Sequence, residues 1–164
     1  MQNEKMKLIP IKQTIEENEE FVNLTDCKET IFLSINHYNK VGFHPPWIGY
    51  YAKIGDQYVG AAGFKGQPRE GRIEIAYGTF ERFRQRGLGT EICRQLVELT
   101  LKTDPSIVIT ARTFSEKNYS TRILESNDFE LIGIVIDEED GEVWEWRYNK
   151  IRGQATTHKT MEKF

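Results

Sequence analysis

The 164-residue sequence predicts an α+β domain, layered like an α/β protein, with helices on both faces of a mixed and mostly antiparallel sheet of about six to seven strands. Two observations support this fold class. Short strand patterns with turn signals between them fill much of the chain from Gly49 onward. A strand–helix–strand unit from Arg72 to Arg112 implies one parallel pair with a right-handed crossover, and the flanking hairpins make the sheet mixed.

The first part of the chain is predicted to be helical. Apolar residues recur at helical spacing over residues 11–40, with a break near Thr25. Asp26, at that break, is the candidate N-cap of the second helical piece. Pro45-Pro46 then forbids regular helix, so a loop is expected before the first strand.

Strands are predicted where the pattern becomes short and apolar. GYYAKIG and QYVGAAGF form two of them, and Gly55-Asp56 between them has the composition of a hairpin turn. RIEIAYGT, Arg72–Thr79, alternates like a strand and places Ile73, Ile75 and Tyr77 on one face, opposite Glu74 and Ala76.

The rest of the domain alternates helix and strand. An apolar stripe with helical spacing predicts an amphipathic helix after the RIEIAYGT strand, and it consists of Leu88, Ile92, Leu96 and Leu99. SIVITAR is a near-continuous apolar run, typical of a strand covered on both faces. A short helix over Glu116–Asn127 and a closing hairpin around Asp140-Gly141 complete the pattern.

The domain organisation follows from length and composition. At 19.1 kDa the chain is long enough to bury one core, so we expect a single domain over residues 1–150. Residues 151–164 are polar and unpatterned and are predicted to form a flexible C-terminal tail, in which Met161 and Phe164 are the residues able to dock.

Composition excludes several classes of function. The net charge of −3 gives no support for a nucleic-acid partner, and no apolar run is long enough to span a membrane. The first residues, MQNEKMKLIPIK, lack the apolar region of a signal peptide, which favours a cytoplasmic protein. Neither the two cysteines nor the three histidines have the spacing of a metal site, so no metal is expected.

The stretch FERFRQRGLGTEICRQLVE places arginines and two glycines directly before a helix. Helix N-termini expose unpaired N–H groups and the positive end of the helix dipole. Glycines let an anion approach that backbone, and arginines add charge. The seven residues from Arg84 to Thr90 therefore fit a phosphate site, although taken alone they also fit a turn with solvated arginines.

The surroundings of this loop resemble a known family. Arg84-x-x-Gly87-x-Gly89, between a strand and an amphipathic helix, is similar to the pyrophosphate-binding signature of the GNAT family of acetyl-CoA-dependent N-acetyltransferases. GAAGFKGQP, IEIAYG, NYSTRILE and EDGEVWEW look like consecutive landmarks of one bacterial group in that family, related to the enzymes that acetylate ribosomal-protein N-termini. The resemblance covers roughly residues 47–148 and implies the GNAT fold, with a parallel strand pair that splays apart.

The resemblance also implies which residues bind acetyl-CoA. The splayed strand pairs with the pantetheine arm of the cofactor, and the glycine loop wraps the pyrophosphate. By this match the cofactor-binding residues are Ile75, Ala76, Tyr77, Gly78, Thr79, Arg84, Gln85, Arg86, Gly87, Leu88, Gly89, Thr90 and Asn118. Asn118, at the head of the second helix, has a purely local alternative as a helix cap.

Two residues are the catalytic candidates. Glu74 matches a glutamate that acts as general base in several members of the family, and desolvation on a central strand would raise its pKa into a useful range. An ion pair with Lys65 or Arg112 is the alternative role for Glu74. The tyrosine that many members use as general acid is replaced by Leu124, which leaves Ser120 as the acid candidate or as an ordinary first-turn serine.

The acceptor side is less specific in sequence. Phe43, His44 and Trp47 are the candidate substrate contacts, with core packing as their alternative role. The predicted reaction is direct attack of a primary amine, on a small molecule or at a protein N-terminus, on acetyl-CoA in a ternary complex. A catalytically silent acyl-CoA-binding module is the alternative function, and a homodimer is a possible assembly.

Overall fold

The computed structural model describes residues 4–153 and contains one seven-stranded sheet. The strands are β1 (Met6–Pro10), β2 (Gly49–Ile54), β3 (Gln57–Phe64), β4 (Arg72–Thr79), β5 (Val108–Thr113), β6 (Phe129–Asp137) and β7 (Gly141–Tyr148). The α-helices are α1 (Glu19–Val22), α2 (Lys28–Val41), α3 (Leu88–Thr103) and α4 (Tyr119–Ser126), with 3-10 turns at Glu16–Asn18 and Glu81–Phe83. The strand order is β1-β2-β3-β4-β5-β7-β6, which confirms the predicted mixed, mostly antiparallel sheet.

The parallel pair of the sheet is β4 with β5, and it parts along its length. Pairing runs from Arg72 opposite Val108 to Ile75 opposite Ala111 and then stops. β4 continues to Thr79, but beyond Ile75 it pairs only with β3 among the strands that the structure describes. β5 meanwhile continues along β7, so the two parallel strands diverge as expected of a splayed pair.

The two faces of the sheet are covered by different helices. α2 lies on one face, where the Thr30 hydroxyl is 2.6 Å from the Tyr51 hydroxyl of β2. α3 covers the other face and buries Ile92, Cys93 and Leu96 completely. Because strand side chains alternate, β4 turns its apolar residues toward α3 and turns Glu74, Ala76 and Gly78 toward α2.

The N-terminal region differs from the prediction. Residues 6–10 form the edge strand β1, paired antiparallel with β2, although no strand was predicted there. Residues 11–15 are not helical, because the buried side chain of Asn18 ties the chain into a loop. Its Nδ2 donates to the carbonyls of Lys12 and Thr14 at 2.9 and 2.8 Å, and its Oδ1 accepts from the N–H of Lys12 at 2.8 Å. A side-chain amide that satisfies three backbone groups replaces helical hydrogen bonding.

The predicted helix cap at Asp26 is wrong. α2 begins after Cys27, and no side chain among residues 4–153 caps that end of the helix. The Asp26 carboxylate instead contacts Arg82, with 2.9 Å between Oδ2 and Nη2. A carboxylate engaged by a guanidinium across the fold is not oriented toward the helix N–H groups.

The later elements agree with the pattern in the sequence. β4, α3, β5 and the β6–β7 hairpin lie where the pattern predicted them, and α4 lies within its predicted range but begins at Tyr119, three residues later than predicted, because Asn118 caps it. The chain is helical again over residues 150–153, where Gly153 is buried. Beyond residue 153 the predicted tail, with Met161 and Phe164, lies outside the described residues. Within residues 4–153, no helix is long and apolar enough to cross a bilayer.

Candidate active site

Three cavities meet where β4 leaves β5. On the α3 and α4 side, a cavity of about 460 Å³ is lined by the end of β4, the loop before α3 and the start of α4; we call it the cofactor cleft. On the other face, a cavity of about 560 Å³ lies between α2, β3 and the same end of β4; we call it the acceptor cleft. A smaller cavity of about 200 Å³ fills the opening between β4 and β5. Tyr77 lines all three, and Gly78 lines the two larger clefts.

The N-terminus of α3 is built to leave its N–H groups available. Its N-cap residue, Gly87, has a φ of 74°, a left-handed conformation that glycine adopts without strain. No side chain among the described residues caps this helix end. Gln85 also has a positive φ of 66°, and the whole Arg84–Gly87 stretch is exposed. Unpaired N–H groups at the positive end of a sixteen-residue helix form a site suited to an anion.

Thr79 and Arg84 connect the strand to this loop. The Arg84 side chain donates from Nε to the carbonyl of Thr79 at 3.3 Å, which holds its guanidinium at the cleft. Thr79 lines the cofactor cleft, is 8% exposed, and has a buried Oγ1 without a hydrogen-bond partner among residues 4–153. An unpaired buried hydroxyl costs free energy, and a hydrogen bond from a ligand in the cleft would remove that cost.

The remaining loop residues contribute in different ways. Arg86 is exposed, with its guanidinium 5.7 Å from the centre of the Phe83 ring. Gly89 is buried against α4, where an added Cβ would lie 2.6 Å from Cδ1 of Ile123. Leu88 and Thr90 are half-buried, and their side chains do not line the cofactor cleft. Leu88, Gly89 and Thr90 are therefore suited to contact a ligand through the main chain.

Asn118 caps α4, as the local alternative predicted. Its Oδ1 accepts from the N–H of Thr121 at 3.2 Å, and the Thr121 hydroxyl accepts from the N–H of Asn118 at 2.9 Å. This reciprocal pair is a capping box. The Nδ2 group of Asn118 makes no hydrogen bond within residues 4–153, and the residue lines the cofactor cleft. The cap thus leaves two donors for a second role.

Glu74 lies on the α2 face of β4. Ala76, which is the next residue on that face of the strand, lines the acceptor cleft. Its Oε1 is 3.7 Å from Nε of Arg112, so the predicted ion-pair alternative is present in the structure. Burial raises the pKa of Glu74 above its ordinary value, while Arg112 and Lys65 act in the opposite direction. The Glu74 carboxylate therefore has a charged neighbour and also a raised proton affinity. The ion pair with Arg112 is compatible with a role as general base.

Ser120 lies at the first turn of α4, is exposed, and lines both the cofactor cleft and the small cavity between β4 and β5. Its carbonyl accepts a hydrogen bond from the Tyr77 hydroxyl at 3.3 Å. Burial raises the pKa of Tyr77, which weakens this phenol as a proton donor. Leu124 is completely buried, so α4 presents a core residue at the position that the resemblance gives to an acid.

The three predicted substrate contacts do not line the clefts. Phe43 packs edge-on against Tyr38 and Trp47 packs edge-on against Phe64, each with ring centres 5.1 Å apart. His44 pairs with Trp47 through the backbone. None of the three lines the acceptor cleft, whose outer wall comes from α2 instead. The polar residues Ser34 and His37 of that wall are three residues apart and so lie on one face of α2. This spacing was the signal in the sequence that could have indicated that α2 lines the cleft.

Two further features bear on ligands. A groove of about 750 Å³, larger than any of the three cavities at the strand opening, lies between β1 and α3 and is lined mostly by charged and apolar side chains of those elements. Among residues 4–153, no group of three or more His, Cys, Asp or Glu side chains could hold a metal ion.

The fold and sequence match a known family. The family model described as "Acetyltransferase (GNAT) domain" matches residues 1–130. The chain therefore belongs to the GNAT acetyltransferase family, which confirms the predicted class of enzyme, an acetyltransferase. No curated protein sequence matches the chain at a significant level.

Solved structures share the fold. The aminoglycoside acetyltransferase AAC(6')-Ib in complex with coenzyme A has a TM-score of 0.65 and 19% identity, over 93% of this chain and 98% of that one. A chimera of the spermidine N-acetyltransferase SpeG from Vibrio cholerae and hSSAT has a TM-score of 0.66 and 10% identity, over 91% and 98%. RimL, a ribosomal alpha-N-protein acetyltransferase in complex with coenzyme A, has a TM-score of 0.63 and 14% identity, over 87% and 92%. At these identities the likeness shows the fold alone.

Proposed function

We propose that this chain transfers the acetyl group of acetyl-CoA to a primary amine by direct attack in a ternary complex. The observation that carries the proposal is the meeting of two clefts at one point of β4. The cofactor cleft and the acceptor cleft lie on opposite faces of the sheet, and both reach Tyr77 and Gly78 where β4 has parted from β5. A donor in one cleft and an amine in the other would face each other across this opening.

The cofactor cleft fits acetyl-CoA. The uncapped N-terminus of α3 and the guanidinium of Arg84 suit the pyrophosphate. The unpaired edge of β4 beyond Ile75 offers backbone groups to the amides of the pantetheine arm. The Thr79 hydroxyl and the amide of Asn118 are further unused polar groups in the same cleft. When bound, acetyl-CoA supplies the activated acyl group.

Glu74 is the proposed general base. An amine must be neutral to attack, and at neutral pH it is mostly protonated, so a base has to remove a proton. Glu74 takes that proton, directly or through a water molecule, as the amine nitrogen bonds to the acetyl carbon and the carbon–sulfur bond breaks. A backbone N–H near Tyr77 and Gly78 donates to the carbonyl oxygen as its charge develops. The departing sulfur takes a proton from water, either directly or through the Ser120 hydroxyl, which receives a proton from water as it passes its own on.

The acceptor is proposed to be a small-molecule amine or a protein N-terminus. The related structures are named for aminoglycosides, spermidine and a ribosomal protein, which supports an amine acceptor without selecting one. The closer relation to ribosomal-protein N-terminal acetyltransferases remains a prediction, supported by the landmarks in the sequence and by the fold shared with RimL.

A silent acyl-CoA-binding module is the second candidate function. The observation that favours it is that Leu124 and Tyr77 are poor proton donors, since Leu124 is core and burial raises the pKa of Tyr77. Such a protein would keep the cofactor cleft and bind acetyl-CoA without turnover.

A thiol-release assay separates the two functions. The wild-type chain is incubated with acetyl-CoA and a panel of amines and N-terminal peptides, and its melting temperature is measured with and without acetyl-CoA. Amine-dependent thiol release supports the acetyltransferase. A thermal shift without release for any amine supports the binding module. A chain that shows neither effect at millimolar acetyl-CoA contradicts both functions.

A further inference from the structure

One guanidinium on the acceptor face is shared by three carboxylates. Arg112 of β5 lies 3.0 Å from Asp137 through Nη1, 3.6 Å from Glu145 through Nη2 and 3.7 Å from Glu74 through Nε. We call these four residues the Arg112 cluster. They come from β4, β5, β6 and β7, so only the folded sheet brings them together.

The contacts within the Arg112 cluster are unequal. The contact with Asp137 is a hydrogen bond, whereas the Nε group that faces Glu74 is buried and has no hydrogen-bond partner among residues 4–153. A separation of 3.7 Å is too long for a hydrogen bond. Arg112 therefore interacts with Glu74 electrostatically, without a hydrogen bond. It does not form the bidentate pair that an arginine and a carboxylate commonly adopt.

Asp137 is held rigidly, which explains this geometry. Its Oδ1 accepts from the backbone N–H groups of Glu139 and Asp140, at 2.9 and 3.1 Å, in the turn between β6 and β7. The turn fixes the carboxylate, and the other oxygen, Oδ2, is left to hold Arg112. The hairpin turn thus sets the position of the guanidinium.

We propose that Asp137 positions Arg112 so that it stays at ion-pair distance from Glu74 and does not form a hydrogen-bonded pair with it, which leaves Glu74 able to accept a proton. The proposal rests on the proposed function, because it concerns how Glu74 serves as the base. Asp137 and Arg112 are positioning residues in this scheme, since both act through Glu74.

The charges that face Glu74 support this division of roles. Burial is the main cause of its raised pKa, and the negative charges of Asp137 and Glu145 add to the rise. Arg112 and Lys65 oppose it. His37 and Lys40 of α2 line the acceptor cleft on the same face. A hydrogen-bonded pair with Arg112 would stabilise the ionised carboxylate and make Glu74 a weaker base.

Two substitutions should move the titration of Glu74 in opposite directions. Asp137→Asn keeps an oxygen for the turn but loses the charge that holds Arg112, so Arg112 pairs with Glu74 and the pKa of Glu74 falls. Arg112→Met removes the opposing charge, and the pKa of Glu74 rises. Glu145→Gln, which releases the weaker contact, gives a second and smaller fall. Glu142→Gln, in the same hairpin but outside the Arg112 cluster, is the control.

Carboxyl carbon NMR of the full chain measures this directly, with the Glu74 signal assigned by its loss in Glu74→Gln. The positioning role predicts opposite shifts in Asp137→Asn and Arg112→Met, and it also predicts that Asp137→Asn loses most of its effect when Arg112 is already replaced by Met. An equal effect of Asp137→Asn with and without Arg112 would show that Asp137 acts on Glu74 only through its own charge. Unchanged titration, or shifts of one sign, overturn the positioning role.

The pH profile of kcat/KM is then recorded for the same variants. An acidic limb that moves with the NMR titration supports the positioning role in catalysis, and a merely structural role would lower the rate at all pH values without moving the limb. If the NMR titration shifts but the acidic limb of the kcat/KM profile does not move, Asp137 holds Arg112 as proposed, but Glu74 is not the base. That result would contradict the proposed mechanism.

Discussion

The cofactor cleft and the acceptor cleft share Tyr77 and Gly78 but are built from different parts of the chain. The cofactor cleft offers main-chain groups, namely the uncapped start of α3 and the unpaired edge of β4, with Arg84 beside them. The acceptor cleft offers side chains of α2, β3 and β4, with the Arg112 cluster on the same face of the sheet. We therefore expect cofactor binding and acetyl transfer to be lost in different variants. Changes to the backbone and charge of the cofactor cleft should weaken acetyl-CoA binding, whereas changes to single side chains on the acceptor face should slow transfer.

The largest effect is expected for Glu74→Gln. Removing the proposed base should lower kcat by about 10² to 10⁴-fold, the range typical of general-base catalysis. Because Glu74 does not line the cofactor cleft, the dissociation constant for acetyl-CoA should not change. Steady-state kinetics and calorimetric titration of the same preparation test the two halves of the prediction. Glu142→Gln, an exposed strand glutamate on the β6–β7 hairpin, is the matched control. Full activity in Glu74→Gln would remove Glu74 as the base.

Gly78→Val tests the point where the two clefts meet. An added Cβ at Gly78 meets no atom within 4 Å, and the residue does not need a positive φ, so the fold should tolerate the change. The new side chain would project toward the acceptor cleft and displace the reacting groups, with an expected loss of about 10²-fold in kcat/KM.

Gly133→Val provides the matched control for Gly78→Val, because Gly133 is equally open but lies on β6. Gly89 would be a poorer choice, since a side chain there meets Ile123 and would disturb packing. Equal activity of the two variants, with equal melting temperatures, would show that the reacting groups meet elsewhere.

The two loop arginines should differ in their effect on the cofactor. Arg84 is held at the cofactor cleft by its bond to Thr79, so Arg84→Gln should weaken acetyl-CoA binding by about 10-fold. Arg86 is exposed and lies over Phe83, so Arg86→Gln should weaken binding by only about 2- to 3-fold. The contribution of Arg86 to binding should depend more strongly on salt than that of Arg84. Titrations at low and high ionic strength measure both effects. A larger loss of acetyl-CoA binding in Arg86→Gln than in Arg84→Gln would place the phosphates nearer to Arg86.

The effects expected at Asn118 are smaller than those at Glu74 and Gly78 and are divided between stability and cofactor binding. Asn118→Ala removes the α4 cap and should cost about 1 kcal/mol of unfolding free energy. Asn118→Asp keeps the capping oxygen but replaces the Nδ2 donors by a negative charge, so it should retain stability and weaken cofactor binding several-fold. Denaturant unfolding and acetyl-CoA titration of both variants separate the roles. If Asn118→Asp binds acetyl-CoA as tightly as the wild type, Asn118 is a cap alone.

The sequence predicted the elements whose signal is local. The alternation in β4, the apolar stripe of α3 and the turn at Gly141 are each contained in a short window. β1 has only five residues with lysines around it, which is too short for a periodic signal. The false helix at residues 11–15 had helical spacing, but the buried amide of Asn18 holds the chain in a loop, a tertiary effect that periodicity does not contain.

The same distinction applies to the site. The glycine loop was predictable because a few adjacent residues set the conformation of its backbone. The acceptor cleft was not, since α2 meets the sheet only after folding, and Phe43 and Trp47 pack against other rings instead of lining it. The Arg112 cluster joins four strands and has no signature in any single segment.

An amide NMR titration of the wild-type chain with acetyl-CoA shows directly where the cofactor binds. We expect the shifts to concentrate at the end of β4, in the loop from Arg84 to Thr90 and at the start of α4, with little change along β1. The groove between β1 and α3 is the larger cavity and provides the competing location. Shifts concentrated along β1 and the outer face of α3, with the Arg84–Thr90 loop unchanged, would contradict the central claim that the cofactor binds where β4 and β5 part.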